Sequence, residues 1–184
     1  KHLSAVQAAA LPLAGVTGYR ALVAKGQVQP AQKLLITGIG GGVAQMVLQM
    51  AASVNADVYV TSGQDAKIQR AKELGALDGV NYKQEDWAKV MKKQVGGFDL
   101  IIDSAGGDSW NDLIDILNPG CRLIFYGATQ GRPSKLNVHK MFWKQQTIEG
   151  TTMGSDQDFQ NMLAFVEKHK VMPTVDSVRQ FDDI

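Results

Sequence analysis

Apolar residues along this chain alternate between two spacings. Short runs at 33–37 (KLLIT), 57–61 (DVYVT), 78–82 (DGVNY), 98–103 (FDLIID), 121–127 (CRLIFYG) and 146–151 (QTIEGT) are rich in aliphatic residues and bounded by glycine, asparagine or aspartate. Such runs read as strands. Between them, residues 43–54, 65–74, 85–94 and 109–117 carry apolar positions at helical spacing. Each is long enough to cross over a sheet, which predicts parallel strands joined by right-handed crossovers. Ahead of the first strand, SAVQAAALPLAGVTGYRALVAKG predicts two helices broken at Pro12, the second stopped by Gly26. Behind the last, a helix over 155–169 leads to a strand near 174–179, and a new element begins in RQFDDI. The sequence shows no repeats, low-complexity tracts or long linkers. The pattern predicts an α/β fold built on a doubly wound parallel sheet of about six strands.

Composition narrows the function. With 184 residues, 45% hydrophobic and 20% charged, the chain can bury one sizeable core, so residues 1–184 read as a single domain. A net charge of +1 with evenly scattered signs offers no basic stripe to a nucleic acid. Cys121 is the only cysteine, which excludes an intrachain disulfide framework and a cysteine-rich zinc site and suits a reducing compartment. It reads as a buried strand thiol. No apolar run approaches the roughly eighteen residues that span a bilayer, and KHLSAVQ lacks a signal-peptide layout, so the expectation is a cytoplasmic protein with no membrane partner. The missing initiator Met suggests a segment of a longer protein.

The candidate chemistry begins at LITGIGGGVA, where the first strand breaks into Gly38, Gly40, Gly41 and Gly42, followed by the small Ala44, and resumes as a helix. A helix N-terminus at the carboxyl end of a strand offers unpaired N–H groups to an anion, and glycine lets it come close. Tight turns and helix packing also use glycine, so the position after the first strand gives the motif its weight. The end of the second strand decides which phosphate ligand is expected. An NAD site places a carboxylate there for the ribose 2′-hydroxyl. Asp57 stands at the wrong end of that strand, and the correct end reads TSGQDAK, with Thr61, Ser62, Gly63 and Lys67. Hydroxyls and a cation suit an added 2′-phosphate, so NADP(H) is expected over NAD. Asp65 counts against this, although the helix dipole also accounts for an acid in the first turn.

Five stretches, AALPLAGVTGYRAL, LLITGIGGGVAQMVLQMA, AKELGALDGVNYKQED, FDLIIDSAGGD and RLIFYGAT, resemble in that order the Rossmann-type cofactor-binding domain of medium-chain dehydrogenase/reductases. They are most similar to the zinc-independent quinone oxidoreductase and zinc-type alcohol dehydrogenase-like branch. The resemblance implies hydride transfer between NADP(H) and a small carbonyl, enone or quinone. It places Gly41, Gly42 and Val43 at the pyrophosphate, and Ser62, Lys67 and Tyr82 at the 2′-phosphate end. Ser104, Gly127 and Ala128 would line the path from adenosine to nicotinamide, and Thr17 the nicotinamide side. Tyr82 equally fits a strand-end aromatic covering the sheet edge. Phe142 and Trp143 either border the nicotinamide or, as the favoured reading, pack in the core.

The resemblance also argues against a metal. Ala14 stands where zinc-using members carry a cysteine, the four-cysteine lobe is absent, and His2, His139 and His169 lack ligand spacing. The family's substrate pocket lies against an N-terminal barrel-like domain that this sequence lacks, so half an active site is expected and no catalytic residue is named. Tyr19 and Tyr126 have no companion base. The sixth strand is expected to pair with its two-fold mate through residues 146–152, giving a homodimer. Two other enzyme readings fail on residues. A short-chain dehydrogenase needs a lysine four residues after a tyrosine, and a methyltransferase needs an acid at the end of the second strand. The rival outside catalysis is a non-catalytic NADP(H)-binding redox-sensing module.

Overall fold

A computed structural model of the chain describes residues 2–180 and 182. Its centre is β1 (Lys33–Ile36), where Leu34, Leu35 and Ile36 have no solvent exposure. Successive side chains of a strand point to opposite faces. Leu34 and Ile36 therefore enter one apolar cluster and Leu35 the other. A strand covered on both faces must lie inside a sheet sandwiched by helices. Truncating Leu35 to Ala would cost about 2–5 kcal/mol.

Five more strands complete the sheet: β2 (Asp57–Ser62), β3 (Asp78–Asn81), β4 (Phe98–Asp103), β5 (Leu117–Phe125) and β6 (Thr147–Gly150). All neighbours are parallel, in the order β3-β2-β1-β4-β5-β6. Helices α2 (Pro12–Tyr19), α3 (Gly42–Ser53), α4 (Asp65–Glu73) and α8 (Asp156–His169) supply one cluster, and α5 (Trp87–Val95) and α6 (Trp110–Ile116) the other. The order reverses between β1 and β4, and in open α/β sheets a ligand crevice forms beyond the strand ends at such a reversal.

The expected doubly wound fold is thus present, with local departures. Pro12 opens α2 after the short α1 (Ala5–Ala10), as expected, but the helix loosens into a π-helical turn over Arg20–Lys25 before Gly26. Helix α5 starts two residues later than expected, because Asp86 before it adopts a left-handed conformation, φ 54°. Strand β5 begins at Leu117 rather than 121 and carries Pro119 and Gly120 through an irregularity opposite Phe98 and Leu100. An unexpected helix, α7 (Val138–Trp143), precedes β6.

Three expectations are corrected. The strand near 174–179 is absent: residues 171–180 run irregularly, with Thr174 Oγ1 accepting from Gln49 Nε2 of α3 at 2.8 Å. The segment lies over the helical layer, where no strand edge is available to pair with. Phe142 and Trp143 are not core residues but 64% and 83% exposed. Cys121 is half-buried rather than fully buried. The element expected to begin in residues 179–184 falls largely outside the described residues.

Candidate functional site

Four glycines follow β1, and the structure divides them. Gly38 has φ +63°, a conformation that L side chains rarely adopt, and a Cβ there would sit 3.1 Å from Ser104 Oγ. At Gly40 a Cβ would stand 2.9 Å from Lys67 Nζ, so this glycine makes room for the lysine lying across it. Gly38 answers the chain's own geometry, whereas the lysine tip at Gly40 can swing aside. Gly41 and Gly42 have negative φ, and a Cβ would come no closer than 3.6 Å to Gly38 O and 3.9 Å to Ala14 Cβ. Nothing inside the protein requires glycine at either position.

Gly41 is also the cap residue of α3, a 12-residue helix that no side chain caps. The first N–H groups of such a helix have no intrahelical partner, and they carry the positive end of its dipole. Open space in front of uncapped donors is what an oxyanion group fills. Val43 follows in the first turn, half-buried against the core.

At the end of β2 the expected residues separate. Lys67 forms no hydrogen bond or ion pair among the described residues, and it lines a cavity of about 310 Å³ with Gly40 and Arg70. Ser62 is 4% exposed, and its Oγ accepts from Gln64 N–H at 3.2 Å, so it shapes the turn into α4 rather than lining that cavity. Asp65, the residue that weighed against a 2′-phosphate, accepts from Asn81 Nδ2 at 2.8 Å. Asp57 sits at the opposite end of β2, level with Lys33. Tyr82 is 39% exposed, and its Oη lies 2.8 Å from where a Cβ on Gly63 would be.

Beyond β4 the organising group is Asp103, fully buried and unmarked by the sequence reading. Its Oδ1 accepts from Thr37 Oγ1 at 2.5 Å and Ala105 N–H at 3.1 Å, its Oδ2 from Gly106 N–H at 3.0 Å and Trp110 Nε1 at 2.9 Å. A buried carboxylate is tolerated when its lone pairs are filled in this way. It thereby ties the end of β1, the turn after β4 and the start of α6 together. Thr37 Oγ1 accepts from Ser104 N–H at 3.1 Å, and Gly38 N–H donates to Thr61 Oγ1 at 3.3 Å. A carboxylate ending an otherwise apolar buried strand was the available signal.

Ser104 lines a cavity of about 320 Å³ over the ends of β1, β2 and β4, bordered by Gly38, Tyr82 and Trp87. Gly127 and Ala128 line a second space of about 560 Å³ on the far side, with Arg20, Lys25 and Thr151. Arg20 donates to Thr151 Oγ1 at 3.2 Å and pairs with Asp158, while Lys25 pairs with Glu149 at 2.5 Å. Both cations are exposed to this space by the π-helical turn, which residue spacing did not reveal. Thr17 is not brought there: it is 6% exposed, and its hydroxyl donates to Leu13 O at 2.9 Å. Tyr126 borders the space and bonds to Ser104, and burial raises its phenol above the ordinary value.

A six-stranded parallel sheet with an uncapped glycine turn at its reversal point is the architecture of a dinucleotide-binding domain. Residues 42–168 match the zinc-binding dehydrogenase family, and the chain belongs to it as a medium-chain dehydrogenase/reductase cofactor-binding domain. It is 36% identical over 190 residues to the zinc-type alcohol dehydrogenase-like protein YogA of Leptosphaeria maculans, covering 99% of this chain and 53% of that protein. Among solved structures it is similar to an NAD-dependent alcohol dehydrogenase, with 34% identity, TM-score 0.86, and coverage of 94% of this chain and 51% of that one. A quinone oxidoreductase of Pseudomonas syringae pv. tomato is 28% identical with TM-score 0.83, over 97% of this chain and 58% of that one. The chain spans about half the length of these relatives. Among the described residues no group of three or more His, Cys, Asp or Glu could hold a metal ion, and no helix is long and apolar enough to cross a membrane.

Proposed function

We propose that this domain binds NADP(H) and serves hydride transfer to or from a small carbonyl, enone or quinone substrate in a zinc-independent enzyme. The observation that carries the reading is the pair Gly41 and Gly42, open to solvent where the fold needs no glycine and where α3 presents uncapped donors. The pyrophosphate lies on Gly40, Gly41, Gly42 and the Val43 amide, with Gly38 shaping the turn. The 2′-phosphate is met by Lys67, with Tyr82 at its margin and Ser62 setting the turn into α4. Ser104 lies under the ribose, and Gly127 and Ala128 pass toward the nicotinamide. The nicotinamide, when bound, supplies the hydride donor or acceptor; the residues named here bind and orient it.

The relatives above are dehydrogenases and reductases by name, so we adopt catalysis over redox sensing. Because one of them is called NAD-dependent, the NADP preference rests on this chain alone, on Lys67 unpaired and Asp65 turned to Asn81. We read the enzyme as cytoplasmic, which suits a single cysteine, and as metal-free, since Ala14 replaces the cysteine of zinc-using members. In the family the substrate pocket is shared with a barrel-like domain, so we expect residues 1–184 alone to bind cofactor without turnover. Titration of NADPH and NADH against the protein tests the assignment. Lys67→Ala should weaken NADPH about tenfold or more and leave NADH nearly unchanged. Equal losses for both cofactors remove Lys67 from the site.

We also propose a homodimer through β6, the edge strand of the sheet. An open edge pairs readily with a second copy under a two-fold axis. The exposed Phe142 and Trp143 stand just before this strand, where a partner would cover them.

A further inference from the structure

We infer that Asp112 selects the base of the dinucleotide, its carboxylate accepting the 6-amino group of adenine and rejecting a 6-oxo purine. This rests on the dinucleotide reading above and adds a residue to it. The cavity of about 320 Å³ beyond β4 has apolar walls from Trp87 and Leu113, 8% and 1% exposed, suited to a flat aromatic ring. Of the other polar groups around it, the amide of Gln130 can turn to donate or accept, whereas the hydroxyls of Ser109 and Thr129 give their protons to Gly106 O at 2.8 Å and Ser104 O at 3.4 Å. The amide would hold adenine and hypoxanthine alike, and a hydroxyl can turn toward a 6-oxo group only by giving up its carbonyl. Ionised carboxylates only accept, and two line the cavity, Asp108 and Asp112.

Asp108 is committed elsewhere: its Oδ1 accepts from Ser134 N–H at 2.6 Å, and the bonds from Ser134 hold its carboxyl below the ordinary range. Asp112, on α6, forms no hydrogen bond or ion pair among the described residues. Partial burial, joined by the negative charges of Asp115 and Asp86 and opposed by Lys89, pushes its carboxyl up. An acceptor drawn from water without a donor gains most from a ligand that brings one. An exocyclic amine on a ring seated in this cavity brings N–H to Asp112. A 6-oxo group there sets oxygen against oxygen.

The test compares NADPH with its hypoxanthine analogue, which carries a 6-oxo in place of the 6-amino group, by titration against the 184-residue protein and its variants. The unsubstituted protein should bind the analogue about tenfold more weakly. Asp112→Asn should close that gap to within about twofold, because a carboxamide can donate or accept. Asp115→Asn, which removes a charge from the same helix outside the cavity, should leave the ratio unchanged. Equal binding of both dinucleotides by the unsubstituted protein, or a ratio that survives Asp112→Asn, overturns the inference while leaving dinucleotide binding intact. Failure to bind either dinucleotide overturns both readings together.

Discussion

The two halves of the sheet use their polar groups in opposite directions. In the half formed by β1, β2 and β3, the strands return through α3 and α4, regular helices of 12 and 9 residues. The turns at their carboxyl ends leave donors outward: the uncapped first turn of α3 and Lys67, which has no partner among the described residues. In the half formed by β4, β5 and β6, polar groups turn inward and hold the chain to itself. Lys144 Nζ donates to the carbonyls of Ile114, Asp115 and Leu117 at 2.9, 3.0 and 3.0 Å, and Gln146 Nε2 to those of Ile114 and Leu117 at 2.9 and 2.8 Å. Arg20 and Lys25 clamp the far edge through Thr151, Asp158 and Glu149. What this half leaves exposed just before its edge strand is apolar, Phe142 and Trp143. On the readings proposed above, one half would be completed by an anion and the other by a second copy of the chain.

The sharpest way to break this contrast is at Gly41. Because a Cβ there meets nothing closer than 3.6 Å, Gly41→Val should leave the fold and its melting temperature nearly unchanged. The branched side chain would fill ligand space, not chain space. Binding of NADPH and NADH should both fall more than about a hundredfold. Normal cofactor binding by a folded Gly41→Val protein would show that the outward donors of α3 serve no ligand.

The next largest effect is expected at the other half. If Phe142 and Trp143 face a second copy, replacing both with serine should weaken self-association about tenfold or more in sedimentation or light scattering, without altering cofactor binding. Both side chains are exposed, so the monomer's stability should change little. A protein that is monomeric before substitution, or a dimer indifferent to it, breaks the assignment of this surface.

The same contrast explains what could be read from the residues alone. In the first half the signals are local. Three consecutive apolar residues define β1, and glycine chemistry defines the turn, so their positions followed from spacing. Yet spacing did not separate Gly38, which serves the chain, from Gly41 and Gly42, which do not. It also assigned Ser62 outward, because a hydroxyl's direction depends on the turn it closes. In the second half the signals conflict. Pro119 and Gly120 look like the end of an element but lie within β5. Trp143 is as hydrophobic as any core residue, and only the position of α7 beside an edge strand decides that it is uncovered. Asp103 and the cations of the π-helical turn act across residues distant in sequence, which no periodicity encodes.

The smallest expected effect sharpens the contrast by loosening the inward half alone. Asp158 accepts from Ser155 N–H at 2.9 Å in the cap of α8 and pairs with Arg20 across to the π-helical turn. The bond from the Ser155 backbone, with those from the Ser155 hydroxyl and Arg20, holds its carboxyl below the ordinary value despite some burial. A folded-state value below the unfolded one adds stability that is fully present above the unfolded carboxylate value, about 3.9, and is lost as pH falls through the folded value. Asp158→Asn keeps an acceptor for the cap but removes the charge, so it should cost about 0.5–1 kcal/mol at pH 7 in chemical denaturation. That difference should shrink as pH drops below about 4. Amide exchange should quicken in α8 and in residues 151–155 while β1, β2 and β3 keep their protection. A loss that persists undiminished into acid, or exchange that quickens equally in both halves, would mean that the clamp at Asp158 is not what holds this edge.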